Sequence, residues 1–463
     1  MIFRVYPSKD TWVTNLIIPP TNIPVTGSNF GQSEILELFK KAPAGIGLTG
    51  WAGSSSLGRM LLQFDFTSYQ QLTSSLQTNP SPRWRLVMRD ARHAETLPSS
   101  YDVEVMPLTR QWDEGPGLDE DTFVDRGQAN WVQARSNSYW TSAGGDFLTS
   151  SAKVFSFDTG REDLDVDITE IVNSWFSGTL TNNGLCVRVS SSLEQNSLSY
   201  YVKKFHSRHT NFLDRRPYLE ARWDDSLQDD RRNFVYDYSG NLFLYNIVRG
   251  VPTNISGIVS GQNCVYLRIV DASGTIASAT GSWTGKTGVY SASFVLPTGS
   301  YSGSVMHDIW FSGSRSFMTG TFYPSDSFSQ PVPTQQQLVM DVENVKVEYE
   351  EDERARFRIF SRNVDYNPSY VLTGSSSGPN GLIMTRAYYA IDNDRTKDRV
   401  IPFGTGSYSG GTDNTRLSYD DQGNYFDFCM SSLSPGNVYR IVFMVDSGGQ
   451  MQLVDGGYKF RIR

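Results

Sequence analysis

REDLDVDITEIVNSW, residues 161–175, decides how the chain is read. Glu162, Asp163, Asp165, Asp167 and Glu170 fall within it as a dense acidic run. Such a run suits a metal site, a catalytic acid cluster or the wet face of a strand, and the spacing favours the third. In an extended strand Leu164, Val166 and Ile168 point one way, and Asp163, Asp165 and Asp167 the other. Thr169 or Asp167 then caps a helix with Glu170 in its positive first turn. Ile171, Val172, Trp175 and Phe176 follow at helical spacing toward a core. Asp163, Asp165, Asp167, Thr169 and Trp175 therefore read as a structural motif, a strand running into a short buried helix.

Chemistry fits the stretch less well. Calcium needs six to eight oxygens wrapped around it, whereas carboxylates in a straight row stand about 6.5–7 Å apart and do not enclose an ion. A structural calcium ion is the single cofactor alternative left open, and no metal-binding or cofactor-binding residue is assigned. Glycoside hydrolysis needs two carboxyl groups at a set separation across a cleft. Among 49 acidic residues nothing singles out such a pair. No G-x-S-x-G elbow, Walker A loop, H-E-x-x-H or dinucleotide fingerprint is present, so no catalytic residue is assigned and the chain is not expected to be an enzyme.

Outward from this stretch the pattern stays β. The chain has 463 residues with 40 Gly and 20 Pro, which favours turns over helices, and long apolar patterns of helical period are missing. Short alternating segments at Glu34–Phe39, Met60–Phe66, Trp84–Met88, Tyr101–Met106, Leu185–Val189 and Tyr218–Trp223 suit a sandwich or jelly roll. In GVYSASFVLPTGSYSGS, Tyr290, Ala292, Phe294 and Leu296 line one face, and Val289, Ser291, Ser293 and Val295 the other, as in a small immunoglobulin-like sandwich. VKVEYEEDERARFRIF is read as a hairpin around an acidic turn. Val345, Val347 and Tyr349 alternate with one arm and Ala355, Phe357 and Ile359 with the other, and Glu348 and Glu350 face Arg354, Arg356 and Arg358.

Two polar stretches read as joints, DDSLQDDRRN at 224–233 and the proline-bearing YPSDSFSQPVPTQQQ at 323–337. The expected architecture is thus all-β: a jelly-roll sandwich over 1–223 with a long loop insertion, an immunoglobulin-like sandwich over 234–323 and a C-terminal β-sandwich over 338–463. The hexapeptide TGSYSG occurs at 298–303 and 405–410, too little to define a repeat.

Net charge is −8, with 41 basic and 49 acidic residues, which argues against a nucleic-acid partner. No apolar run approaches a membrane span, and MIFRVYPSKDTW lacks the pattern of a secretory leader. Cys186, Cys264 and Cys429 are too sparse for a disulfide framework or a zinc pair, so folding in a reducing cytoplasm is expected. Of the four histidines, His206 and His209 lie in HSRH at the end of a strand, where an i,i+3 pair takes opposite faces, and they read as surface or structural residues. Trp112, Trp131 and Trp140 lie in the long loop. They either anchor that loop to the sandwich, the favoured reading, or form an exposed glycan-binding or docking loop.

Several landmarks then occur in order: DTWVTN at 10–15, NFGQSEILEL at 29–38, LGRMLLQFDF near 58–66, YDVEVMPLTRQWDEGPG at 101–117, the Asn130–Trp131 pair, LDVDITEIVNSW at 164–175, NNGLCVRVS at 182–190 and RRPYLEARW at 215–223. Through them the first 223 residues resemble the DNRLRE jelly-roll family, which is carbohydrate-binding-module-like. The motif that names the family is not spelled out here, and sugar-binding residues are not matched one by one. The whole chain is similar to virion structural proteins of tailed bacteriophages, especially of aquatic and marine bacteria. That likeness implies a non-enzymatic building block of the neck or collar, tail, baseplate or head decoration, made in the host cytoplasm and located in the virion. Its expected partners are other virion proteins and copies of itself, with neither nucleic acid nor membrane. A glycan-binding adhesion module for host-surface polysaccharide is the alternative.

Overall fold

The strand Leu164–Asp167 lies at the end of a four-stranded sheet in the order Ile2–Val5, Tyr218–Arg222, Arg83–Met88, Leu164–Asp167. This is seen in a computed structural model that describes residues 1–18, 23–41, 55–76, 80–95, 97–119, 127–196, 201–256, 263–298, 305–325, 338–364, 381–406, 412–447 and 449–463. The pairing with Arg83–Met88 is antiparallel, with Val166 opposite Leu86 and Asp165 opposite Val87. Leu164, Val166 and Ile168 are buried, as strand alternation requires.

A seven-stranded sheet forms the other layer of the jelly roll, in the order Lys153–Phe157, Tyr101–Pro107, Leu185–Val189, Ser56–Phe64, Ile35–Lys41, Tyr201–His206, with Pro7–Thr14 also paired to Ser56–Phe64. Leu185–Val189 is buried at every position, as befits a strand flanked on both sides. These elements belong to one compact unit, residues 3–69 and 82–221.

The second compact unit comprises residues 1–2, 70–81 and 222–463 and holds both immunoglobulin-like modules. The first module is a six-stranded arrangement in the order Ser239–Tyr245, Val289–Val295, Gly274–Trp283, Val265–Asp271, Met306–Ser312, Arg315–Phe322. Tyr290, Ala292, Phe294 and Leu296 enter its core together with Leu242, Leu267 and Trp310, and Val295 on the opposite face is exposed. The last module has a four-stranded sheet, Leu338–Val342, Arg354–Asn363, Gly423–Cys429, Ser418–Asp420, and a larger one built around Val438–Ser447. Ala355, Phe357 and Ile359 are in its core.

The expected acidic-tipped hairpin is not formed. Arg354–Asn363 pairs with Leu338–Val342 and Gly423–Cys429. Glu348–Tyr349 instead runs parallel to Lys459–Ile462 in the other sheet. The chain turns at 343–344 and crosses between layers, so Val347 is exposed while Tyr349 reaches the core. The arginines meet Asp427 and Asp420 on strands far along the sequence, and the acids of the adjacent turn are not their partners.

The charged stretch 224–233, read as a joint, is packed into its unit. Arg231 is buried and forks onto Asp308, with Nη2 2.8 Å from Oδ2. Trp310 Nε1 donates to the same oxygen at 2.8 Å, and Tyr419 Oη donates to Asp230 at 2.6 Å. Burial pushes the Asp229 carboxyl up to about 7, against the opposing pull of Arg231. Most of the second expected joint, residues 326–337, and most of both TGSYSG copies lie outside the described residues. Among the described residues no helix is long and apolar enough to cross a membrane.

Breaking the buried pair strands a charge, so Arg231→Ala should lower stability by about 3–5 kcal/mol in urea denaturation of the full chain. Asp229 has a raised folded pKa. Its contribution to stability is fully present below the unfolded value near 4 and is lost as pH rises toward about 7. Stability measured between those limits should therefore fall less steeply with pH in Asp229→Asn than in the parent chain.

Candidate functional site

Each aspartate of the 163–167 row is answered by an arginine of the neighbouring strand and its end. Asp163 Oδ2 accepts from Arg89 Nη1 at 2.6 Å, and its Oδ1 accepts from the Asp90 backbone N–H at 2.8 Å. Asp165 Oδ1 accepts from Arg85 Nε at 2.6 Å. Asp167 lies 4.0 Å from Arg83, and its Oδ1 accepts the Thr169 backbone N–H at 2.9 Å. Arg83, Arg85 and Arg89 alternate on one strand as the acids do on the other. The carboxylates are spread along this arginine row and do not converge on a common point.

The helix Thr169–Phe176 follows directly. Its N-cap position is Ile168, whose own side chain makes no cap; of the two expected capping residues, Asp167 takes the first helical N–H and Thr169 does not cap. Thr169 is its first residue, and the Thr169 hydroxyl accepts from the Trp84 backbone N–H at 2.9 Å, which ties the helix to the sheet. Ile171, Val172 and Trp175 are its buried residues, with the Trp175 ring 5.9 Å from Phe66. The acidic stretch is thus a fold element, with Glu170 paired to Lys153 at its exposed edge.

The three loop tryptophans are buried, with Trp112 at 0%, Trp131 at 7% and Trp140 at 6% exposure. They share a core with Val13, Leu61, Leu108 and Cys186. Trp112 Nε1 donates to the Asn183 carbonyl at 3.0 Å, and Trp140 Nε1 to that of Asn130 at 2.8 Å. The Arg59 guanidinium sits 5.1 Å from the Trp131 ring. Gly144, at φ +90°, passes so close that a Cβ there would stand 2.7 Å from the Trp131 ring. The rings pin the loop to the sandwich, and no face of theirs is free to stack on a sugar, which corrects the exposed-loop alternative. The groove beside them is self-satisfied: Asp146 accepts from Arg110 Nε at 2.7 Å and from the backbone of Thr141 and Ser142.

Exposed apolar groups are found elsewhere. In the second unit a hairpin pairs Ile247 with Pro252 and Val248 with Val251. Its two turn residues, Arg249 and Gly250, both have positive φ, the type I′ geometry suited to strand twist. Ile247 is 61% exposed, and Val248 and Val251 are about half exposed.

His206 is buried, and its Nδ1 meets the Thr210 hydroxyl at 3.2 Å. His209 lies in the turn beyond the strand and approaches Asp10 and Glu114, residues that sequence spacing could not bring together. Burial pushes the Asp10 carboxyl up to about 7.

Two substitutions separate the anchoring roles. Trp112→Ala should lower stability by about 3–5 kcal/mol by thermal or urea unfolding, as a buried ring does when truncated. Asp165→Asn should change it by no more than about 1 kcal/mol, since the Asp165 carboxylate is itself solvent-exposed.

No protein-family model matches the chain, and no curated protein matches it. Solved structures to which it is similar include a chimeric titin Z1Z2-Z1Z2 tandem functionalised with a GRGDS peptide from fibronectin, at 11% identity over 52% of this chain and 97% of that one, TM-score 0.16. Another is the N-terminal Ig1-2 module of the Drosophila receptor protein tyrosine phosphatase DLAR, at 8% identity over 51% of this chain and 95% of that one, TM-score 0.15. Escherichia coli alpha-2-macroglobulin activated by porcine elastase gives 9% identity over 51% of this chain and 20% of that one, TM-score 0.18. At these TM-scores the alignments carry no argument about function, and the chain is all-β with immunoglobulin-like sandwiches by its own strand pairing.

Proposed function

We propose that the chain is a structural component of a tailed-phage virion and works through protein–protein contacts in a symmetric assembly. The phage context comes from the resemblance of the whole chain to such proteins and of residues 1–223 to DNRLRE jelly rolls. The observation that carries the contact mode is the placement of apolar surface. Ile247, Val248 and Val251 stand exposed on a hairpin held by its turn, while the aromatic rings that would suit a sugar are spent inside the loop core. Apolar strand residues such as these are removed from water when a neighbour covers them, and interface cores are of this kind. The neighbours in this reading are further copies of the chain and other virion proteins.

Light scattering across a concentration series should show self-association of the full chain, weakened by the double substitution Ile247→Asp, Val251→Asp without loss of folded signal. A chain that stays monomeric at every concentration and binds a host polysaccharide on a glycan array would replace this reading with the adhesion-module alternative.

A further inference from the structure

Asp10, Glu114 and His209 come from three remote parts of the jelly-roll unit. Asp10 lies on the strand Pro7–Thr14, Glu114 in the loop after Tyr101–Pro107, and His209 in the turn after Tyr201–His206. One ligand-type atom from each lies within 4.8 Å of the other two. The cluster is built from several sides. Asn29, itself fully buried, donates to the Glu114 carbonyl at 2.7 Å and accepts from the Gly117 backbone at 2.8 Å. Gly115 holds φ +83°, where a Cβ would collide with Asn29. The Asp10 backbone N–H donates to Glu114 Oε1 at 2.8 Å.

Two buried atoms of these three side chains lack a hydrogen-bond partner. Asp10 is 1% exposed. Its Oδ2 accepts from the Arg208 backbone at 2.6 Å, but its Oδ1 is buried with no hydrogen-bond partner. His209 Nε2 is likewise buried without one, 3.5 Å from Glu114 Oε1, which is too long for a well-formed bond. Unsatisfied buried acceptors call for an ion, a proton or a water.

We propose that Asp10 Oδ1, Glu114 Oε1 and His209 Nε2 bind one divalent first-row transition-metal ion of the Zn²⁺ type, with a fourth position left to solvent. One imidazole and two carboxylates suit such an ion, whereas calcium wants six to eight oxygens. Zinc–ligand distances of about 2.0–2.2 Å require the three side chains to close in from their present separation, with Glu114 and His209, the two that are partly exposed, making the larger movement. Two cations compete: Arg208, which holds Glu114 through Nε on Oε1 and Nη2 on Oε2, both at 2.6 Å, and Arg216, whose charge also acts on Asp10 and His209. On metal binding the Arg208 Nε contact gives way and its Nη2 contact is kept. The bound ion clips the Pro7–Thr14 strand, the base of the long loop and the 207–210 turn together.

The test is a Co²⁺ titration of the full chain after chelator treatment, followed by visible absorption and by thermal unfolding with Zn²⁺. The expected result is a one-to-one ligand-field spectrum that Zn²⁺ displaces, together with a rise in Tm on adding Zn²⁺. His209→Gln should lose both responses while unfolding like the parent without metal, because Nε2 has no protein bond to lose. Arg208→Gln should tighten Co²⁺ several-fold by removing one competing charge. A parent chain with no one-to-one spectrum and no Zn²⁺ effect on Tm, as a water or a shared proton in the cluster predicts, would overturn the proposal. So would a spectrum unchanged in His209→Gln.

Discussion

A strand turns alternate side chains to opposite faces, so a charged row on one strand is left to water and to opposite charges on a neighbour. The modules are organised around that constraint. Asp163, Asp165 and Asp167 face Arg89, Arg85 and Arg83. Arg356 stands directly opposite Asp427 in register and binds it, and Arg358 binds Asp420. Arg188 stands opposite Glu104 and binds it at 2.8 Å. The other face of each of these strands is left free to be apolar, and that is where the cores form. Several charges that enter the interior do so in pairs, as Arg4 with Glu220 and Lys203 with Asp90, since removing one partner of a buried pair is strongly destabilising; Lys40 is buried without a hydrogen-bond partner for its Nζ.

What was legible in the sequence is what this alternation writes locally. The strand-to-helix reading of 161–175 and the two faces of 289–296 depend only on residues two apart, and both appear as expected. The strands at 35–41, 83–88, 101–107 and 185–189 were found within two residues of their ends for the same reason. The anchoring role of Trp112, Trp131 and Trp140 followed from a physical need, because a loop of that length has to be held somewhere.

What was not legible depends on which strand lies next to which. The stretch 345–359 has the alternation of a hairpin, yet its two arms belong to different sheets, because the chain crosses layers at a turn that local pattern does not mark. The partners of the aspartate row, Arg83, Arg85 and Arg89, lie on or beside a strand that no local pattern pairs with it. The acidic and basic run at 224–233 looked like solvated linker, but Arg231 finds Asp308 across 77 positions and turns polar composition into a buried contact. Asp10 and Glu114 carried no signal, because their meeting with His209 is a property of the folded jelly roll alone.

The functional account holds that the acids and tryptophans serve the fold and that the exposed apolar hairpin serves contact with neighbours. Electron cryomicroscopy of the intact particle of which the chain is proposed to be a part tests it most directly. The account predicts density for the jelly roll and both immunoglobulin-like modules in symmetry-related copies, with the 247–252 hairpin covered by a neighbouring subunit. A particle that lacks the chain, or that carries it with the hairpin bare and a polysaccharide seated on the jelly roll, would contradict it.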